Sequence, residues 1–223
     1  MLISGFPSWA AYLLRTRIIY AKSATRRYCL LFDLIRANRI KTIMEIGVYD
    51  GRRALEMIST ARIHHRAKEI TYLGFDLFEQ MDDEILRNQF SKRPDTLDSL
   101  KEKIGNTGAR VELFRGFSGK TLPRMITERD LYPEPELVFI DGGHAVETIG
   151  SDWENVRRLM TRRTIVVFDD YYVDRPDLIE KFGCNKIVDS LGTEFDVEFP
   201  DRIDAFEREN GLFKIRMAKV TKI

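Results

Sequence analysis

Short apolar runs alternate along the chain with segments whose apolar residues recur at helical spacing. The runs predict five strands, because each is short and is bounded by turn residues. These strands are expected at residues 41–46, 70–75, 111–114, 137–140 and 164–168. The last two are almost wholly apolar, which is typical of central parallel strands buried on both faces.

The segments between the strands predict helices, since their apolar residues fall three and four positions apart. Helices are expected at residues 52–61, 81–90, 96–104, 122–128 and 179–190, and in the segment between His144 and Met160. Two later runs, residues 195–199 and 212–220, are separated by turn residues and predict a closing antiparallel hairpin. The alternation predicts an α/β protein with a doubly wound, mostly parallel sheet, whose ligands bind at the carboxyl ends of the strands.

Residues 1–40 are predicted to form an N-terminal helical extension to a single domain, residues 41–223. Residues 28–35 have helical spacing and lead into the first strand. The apolar stretch 2–14 is shorter than the roughly 20 residues that span a bilayer, so we predict no transmembrane segment. Basic residues follow it, and a helix lying on a membrane surface is one alternative. The other alternative is a helix that packs on the domain or on a second subunit. Packing on a second subunit would produce a homo-oligomer.

The bulk composition narrows the choice of partner and compartment. Lys and Arg number 36 against 35 Asp and Glu, and a formal net charge of +1 gives no reason to expect nucleic acid as a partner. Cys29 and Cys184 fit neither a disulfide framework nor a zinc-ligand spacing. We therefore predict a cytoplasmic protein with reduced thiols.

Glycines and a carboxylate mark the ends of the first two strands. Glu45, Gly47 and Gly51 belong to the turn after the first strand, where glycine permits a positive φ and lets a ligand lie against the backbone. Asp76 ends the second strand, where a carboxylate can accept hydrogen bonds from both hydroxyls of a ribose. Its alternative role is to cap a helix. The pattern predicts a nucleoside cofactor.

Aromatic and acidic residues follow the later strands. Phe117 can stack on an adenine and Ser118 can hydrogen-bond its edge, unless the two are ordinary packing and turn residues. Asp141, Asp169 and Asp170 are hard oxygen ligands that suit Mg²⁺ or a similar divalent cation. Without a cation their like charges would oppose one another, and a cation would also lower the pKa of a bound hydroxyl. The alternative is that Asp169 and Asp170 only end a strand and begin a turn.

The stretch Glu45-Ile-Gly47-Val-Tyr49-Asp-Gly51 resembles the first motif, E-x-G-x-x-x-G, of class I S-adenosylmethionine (SAM) dependent methyltransferases. Asp76 matches the acidic residue after their second strand. Residues 139–144 and 167–171 are similar to small-molecule O-methyltransferases that need a divalent cation. The resemblance implies a seven-stranded Rossmann-like sheet and transfer of a methyl group to a hydroxyl of a small molecule, such as a sugar, a catechol or a natural-product intermediate.

The resemblance also implies which residues form the site. SAM would contact Glu45, Gly47, Tyr49, Gly51, Asp76, Phe117, Ser118 and Asp141. The divalent cation would be held by Asp141, Asp169 and Asp170.

His144 lies three residues beyond Asp141, at the offset where catechol-type methyltransferases carry a Lys base. An imidazole titrates near neutrality, so His144 is a candidate general base. Some sugar-modifying relatives use the metal-bound Asp instead, which makes Asp141 the alternative base and His144 a contact residue. Two other functions stay open. One is non-catalytic binding of SAM or a nucleotide, and the other is a nicotinamide-dependent oxidoreductase, although the G-x-G-x-x-G turn is missing.

Overall fold

The computed structural model describes residues 26–88, 92–128, 133–208 and 211–223. Their strands are β1 (Thr42–Ile46), β2 (Thr71–Asp76), β3 (Arg110–Arg115), β4 (Leu137–Ile140), β5 (Ile165–Val173), β6 (Phe195–Glu198), β7 (Ile203–Arg208) and β8 (Gly211–Lys222). They form one sheet in the order β3-β2-β1-β4-β5-β8-β6, with β7 also paired to β8. Strands β1 to β5 are parallel and β8 is antiparallel to β5. The predicted doubly wound, mostly parallel sheet is confirmed.

Helices cover both faces of this sheet. Within the described residues they are α1 (Cys29–Asn38), α2 (Arg52–Ala61), α3 (Asp83–Asn88), α4 (Leu97–Gly105), α5 (Ser118–Thr127), α6 (Val146–Val156) and α7 (Asn185–Asp189). Helices α1, α2 and α4 pack into one core, and α5, α6 and α7 into the other. Neighbouring strand residues point to opposite faces, so Ile43 lies in the first core and Met44 in the second.

The closing hairpin is confirmed, with one strand more than expected. Strand β6 pairs with residues 219–222 of β8, and β7 pairs with residues 211–216. Pro200 lies between β6 and β7. Because proline has no N–H to donate to a strand ladder, the strand along this edge is divided in two. Hence the described part of the chain has eight strand segments, whereas seven were expected.

Several boundaries differ from those predicted. Strand β5 continues to Val173 instead of ending at Phe168, and the helix expected over residues 179–190 is confined to α7. The helix expected over residues 81–90 is α3, which ends at the last residue before a gap in the described chain. Across the described ranges, none of the helices combines the length and apolar character that a membrane span requires.

The N-terminal helix α1 is part of the main core. Leu31, Phe32 and Ile35 are fully buried against β1, α2 and their neighbours. Residues 26–28 form a short 3₁₀ turn that leads into α1. The predicted helix and oligomer contacts of residues 1–25 lie outside the described residues.

Candidate active site

Two adjoining cavities lie at the carboxyl ends of the parallel strands. The larger has a volume of about 620 Å³ and the smaller about 90 Å³. Both are lined by Gly47, Tyr49, Lys92, Asp141 and Gly142. The smaller is further lined by Asp76, Phe117 and Ser118, and the larger by His144, Asp169 and Asp170. The fold thus brings most of the predicted strand-end residues to one crevice.

The turn after β1 depends on glycine at position 47. Gly47 has a φ of +96°, and a Cβ there would lie 2.0 Å from the backbone oxygen of Asp141. The Asp141 amide also donates to the oxygen of Ile46 at 2.8 Å. The loops after β1 and β4 are therefore in direct backbone contact, which a larger side chain would prevent.

Asp76, the last residue of β2, stabilises the same turn through hydrogen bonds. Its Oδ2 accepts hydrogen bonds from the amides of Val48 and Tyr49, both at 2.8 Å. Its Oδ1 accepts from the amide of Leu77 at 2.6 Å. These bonds hold Tyr49 at a φ of +50° above both cavities. Asp76 accordingly shapes the turn while it also lines the smaller cavity.

An aromatic side chain forms one rim of the smaller cavity. Phe117, which precedes α5, is 49% exposed although its ring is large and apolar. Met81 and Ile85 line the same cavity, and Ser118 begins α5 beside it. This arrangement provides an apolar wall and a hydroxyl for a flat heterocycle.

Glu45 and Gly51 lie behind the turn, and neither is among the described residues that line the two cavities. Glu45 is 1% exposed and accepts a hydrogen bond from the hydroxyl of Tyr72. Burial raises the pKa of Glu45 to about 8. Gly51 caps α2 with a φ of +71°, and a Cβ there would lie 2.7 Å from Cδ2 of Leu100. Both residues therefore support the frame of the site.

The raised pKa of Glu45 predicts a pH-dependent stability. The folded chain keeps a proton that the unfolded chain, with a pKa of 4.5 at this residue, has already released. The free energy of unfolding therefore falls as the pH rises from about 4.5 to about 8, and levels off above that range. Glu45→Gln mimics the protonated acid, so we expect it to be more stable than wild type at pH 8 by several kcal/mol, roughly 1.4 kcal/mol for each unit by which the pKa is raised, with a much smaller difference at pH 5.

Urea denaturation at the two pH values measures this effect. Asp152, whose pKa burial raises to about 7, contributes a slope of the same sign in both proteins and cancels in the comparison. If the free energy of unfolding depended on pH equally in wild type and in Glu45→Gln, the raised pKa of Glu45 would be contradicted.

A bulge in β5 turns two consecutive carboxylates into the larger cavity. The register between β5 and β8 shifts between Phe168 and Tyr171, and Asp170 has a φ of +56°. In a regular strand, neighbouring side chains point to opposite faces, whereas a bulge re-aims one of them. Asp169 and Asp170 consequently both line the cavity, although they are only 3% and 7% exposed.

Arg27 binds Asp169 through two parallel hydrogen bonds. Its Nε donates to Oδ1 at 2.7 Å and its Nη2 donates to Oδ2 at 2.9 Å. Its Nη1 donates to Oδ2 of Asp204, on β7, at 2.9 Å. Burial alone would lower the pKa of Arg27, but the charge and hydrogen bonds of Asp169 raise it well above its ordinary value. A permanent positive charge therefore lies within the acidic cluster.

Tyr28 connects two of the carboxylates. Its hydroxyl donates to Oδ2 of Asp169 at 2.9 Å and lies 3.3 Å from Oδ2 of Asp141. Burial and the charges of Asp141 and Asp169 raise the pKa of Tyr28, which keeps the phenol protonated. Burial, with the charges of Asp169 and Asp170, also raises the pKa of Asp141 well above its ordinary value. Asp141 is thus a weaker acid than a solvated carboxyl group.

His144 and Asp170 form a hydrogen-bonded pair on the wall of the larger cavity. Nδ1 of His144 is bonded to Oδ2 of Asp170. The amide of Gly183 donates to the oxygen of His144 at 2.9 Å, and the amide of Cys184 donates to the oxygen of Asp170 at 3.2 Å. A carboxylate on Nδ1 fixes the tautomer of the imidazole and increases the basicity of Nε2. The pair has the arrangement of an oriented general base.

The predicted Mg²⁺ ligands do not fit a divalent cation in this arrangement. Both oxygens of Asp169 bind Arg27, and Asp170 binds His144. A cation there would also lie beside a buried guanidinium of like charge. In the part of the chain that the structure describes, no group of three or more His, Cys, Asp or Glu side chains is placed to hold a metal ion. The metal stays a prediction without support from its ligands.

Arg27 and Tyr28 are site residues that the sequence analysis did not identify. Tyr28 begins the helical stripe at residues 28–35, which indicated packing but no chemistry. Arg27 lies 142 residues from Asp169 along the chain, and no local pattern links the two. One arginine among several before α1 carries no signal of its own.

A doubly wound sheet with a glycine turn after β1 and a carboxylate at the end of β2 is typical of Rossmann-like proteins that bind a nucleoside cofactor. The family described as "Methyltransferase domain" matches residues 44–171, more than half of the chain. The chain belongs to this family, and the predicted class I SAM-dependent methyltransferase is confirmed at the level of family and fold. A search of curated protein sequences gave no significant match.

Solved O-methyltransferase structures share the fold along nearly their whole length. The O-methyltransferase from Bacillus cereus in complex with S-adenosylhomocysteine (SAH) is 14% identical, with a TM-score of 0.59 and coverage of 100% of this chain and 94% of that one. TomG of Streptomyces achromogenes, an O-methyltransferase of tomaymycin synthesis in complex with SAM, is 13% identical, with a TM-score of 0.60 and coverage of 100% and 93%. CalS11, a TDP-rhamnose 3′-O-methyltransferase of calicheamicin biosynthesis, is 18% identical, with a TM-score of 0.54 and coverage of 96% and 97%. At these low sequence identities, the three structures establish a shared fold only.

Proposed function

We propose that this chain transfers a methyl group from SAM to a hydroxyl group of a small molecule, with His144 as the general base. The observation that carries the proposal is the His144–Asp170 pair, which lies in a large cavity that adjoins the smaller cavity beside Asp76 and Phe117. The three structural neighbours named above are O-methyltransferases, which is consistent with the proposal. We place the activity in the cytoplasm on the evidence of the two cysteines alone.

The residues around the turn after β1 fit SAM. Gly47 leaves room where a Cβ would overlap the neighbouring backbone, and Asp76 faces the smaller cavity from the end of β2. Phe117 and Ser118 would meet the adenine, while Tyr49 and Asp141 lie between the two cavities and would meet the rest of the cofactor. When bound there, SAM would supply a methyl group on a sulfonium, whose C–S bond breaks as the acceptor oxygen bonds to the methyl carbon and SAH leaves.

The chain's own residues would prepare the acceptor. Nε2 of His144, made more basic by Asp170 on Nδ1, accepts the proton of the acceptor hydroxyl as its oxygen becomes nucleophilic. Asp141 stays the alternative base, but its Oδ2 lies 3.3 Å from the hydroxyl of Tyr28, whereas the ring of His144 is oriented by a carboxylate. The amides of Gly183 and Cys184 donate to the backbone oxygens of His144 and Asp170, so this loop helps to keep the pair in place.

The apolar part of the larger cavity's lining favours an acceptor with a flat apolar ring. It is formed by Tyr172, Leu178, Phe182, Phe206, Phe213 and Ile215. The cationic side chains among the described lining residues are Arg27, which is bound to two carboxylates, and Lys92. We therefore propose a phenol or catechol in preference to a nucleotide sugar, whose diphosphate would meet Asp141, Asp169 and Asp170.

The test is transfer of labelled methyl from SAM to matched panels of phenols, catechols and nucleotide sugars. We expect product with at least one phenolic acceptor. The rate of transfer should rise with pH as the imidazole that acts as the base loses its proton. Product with nucleotide sugars alone would overturn the proposed acceptor class. Binding of SAM without transfer to any panel would favour a non-catalytic SAM-binding protein.

Asp76→Asn tests the cofactor site. The amide group of Asn must turn its NH₂ toward backbone N–H donors that now bond to a carboxylate, which leaves donors unsatisfied. We expect SAH affinity to fall roughly tenfold or more and the protein to lose about 1–3 kcal/mol of stability. Calorimetric titration and thermal unfolding measure the two effects. Asp177→Asn, at a 58% exposed carboxylate, is the matched control, and equal behaviour of the two variants would refute the role of Asp76.

A further inference from the structure

The acidic cluster of the larger cavity already contains its counter-charge. The guanidinium of Arg27 binds both oxygens of Asp169, at 2.7 and 2.9 Å, in the planar bidentate geometry that gives strong charge-assisted bonds. Its third nitrogen binds Asp204 at 2.9 Å. Arg27 is 8% exposed, so these bonds are shielded from water. One protein group thus does for the cluster what a bound cation would do.

The residues that follow Arg27 in the chain hold it in place. The ring of the adjacent Tyr28 packs against the guanidinium of Arg53, whose Cζ lies 3.7 Å from the ring centroid. The chain then enters α1, in which Leu31 and Phe32 are fully buried. The side chain of Arg27 is therefore anchored by a core helix and is preorganised in the cluster, unlike an arginine on an exposed surface.

We propose that Arg27 occupies the position of the divalent cation, so that the cluster of Asp141, Asp169 and Asp170 binds no metal in the native chain. The guanidinium neutralises Asp169 and ties it to Asp204, which leaves Asp170 as the carboxylate that orients His144. Arg27 acts through these groups and is a positioning residue. The metal-binding part stands by itself, whereas the consequence for catalysis, methyl transfer without a metal, rests on the proposed function.

The test is titration of the full chain with Mn²⁺, followed by electron paramagnetic resonance. We expect wild type to show no Mn²⁺ bound at the cluster. Arg27→Gln removes the charge but keeps a side-chain donor for Asp169, and leaves the carboxylates without their counter-charge. We expect this variant to bind one Mn²⁺ per chain at least roughly tenfold more tightly than wild type, since uncompensated buried carboxylates need a cation. Adding Asp169→Asn to Arg27→Gln should abolish the gain.

Two further proteins complete the design. Arg27→Lys retains the charge and should gain no Mn²⁺ site. Arg52→Gln removes an exposed guanidinium that pairs with Asp50 and should likewise gain none. Wild-type Mn²⁺ binding that Asp169→Asn abolishes would overturn the proposal, as would a folded Arg27→Gln without any gain. The wild-type titration decides the matter even if Arg27→Gln does not fold. A chain that neither binds SAH nor transfers methyl would refute the proposed function while leaving the Mn²⁺ result intact.

Discussion

His144→Gln is expected to lower kcat for methyl transfer by about 10²- to 10⁴-fold, the range that loss of a positioned general base produces. Glutamine is polar and of similar size, but it cannot accept the proton of the acceptor hydroxyl. His144 lines the larger cavity and is absent from the described lining of the smaller one, so the affinity for SAH should be unchanged. Steady-state kinetics with the best acceptor, together with calorimetry for SAH, separate the two effects.

Asp170→Asn should reproduce part of this loss, because an amide on Nδ1 no longer stabilises the imidazolium that forms during transfer. His64→Gln is the control for loss of an imidazole, since His64 lies on the surface and contacts the backbone oxygen of Arg36. A His144→Gln enzyme with wild-type kcat and an unchanged pH profile would exclude His144 as the base.

Gly47→Ala is expected to abolish measurable SAH binding and to lower stability by several kcal/mol, on the order of the 1–3 kcal/mol of backbone strain plus a comparable cost of overpacking. A Cβ at residue 47 would lie 2.0 Å from the backbone oxygen of Asp141 and 2.8 Å from Cα of Gly142. Backbone atoms at these distances cannot be relieved by a rotamer change, so the loops after β1 and β4 must separate. The surfaces that both cavities share would separate with them.

Gly105→Ala is the matched control for this change. Gly105 is the last residue of α4, and a Cβ there would have no neighbour within 4 Å. Its thermal unfolding and SAH affinity should equal those of wild type. If Gly47→Ala unfolded at the same temperature as wild type and bound SAH as tightly, the close approach of the two loops would not define the cofactor site.

The sequence predicted the frame of the site because that frame follows from local patterns. The period of apolar residues placed the first four parallel strands closely, and turn residues marked their carboxyl ends, whereas only the start of β5 was placed correctly. Once strands are parallel, Gly47, Asp76 and Asp141 must lie at the same edge of the sheet. For this reason the sheet, the family and the cluster of strand-end residues could be predicted from the sequence.

The parts that were not predicted depend on contacts between distant residues. The bulge in β5 exists because β8 pairs with it on either side of Asp169 and Asp170, and nothing within residues 164–173 specifies where the register shifts. The bond from Arg27 to Asp169 joins the first described turn to the fifth strand. Like charges on neighbouring carboxylates favour a positive charge beside them, but the sequence alone does not distinguish a metal ion from an arginine. Glu45 belongs to the motif in sequence, yet its side chain points into the core and away from the cavities.

Calorimetric titration of the natively purified wild-type chain with SAH tests the central claim most directly. The account predicts one SAH bound per chain, competition by SAM, and much weaker binding of NAD. Absence of any binding of SAH and SAM to the folded chain, or tight binding of NAD in their place, would contradict it.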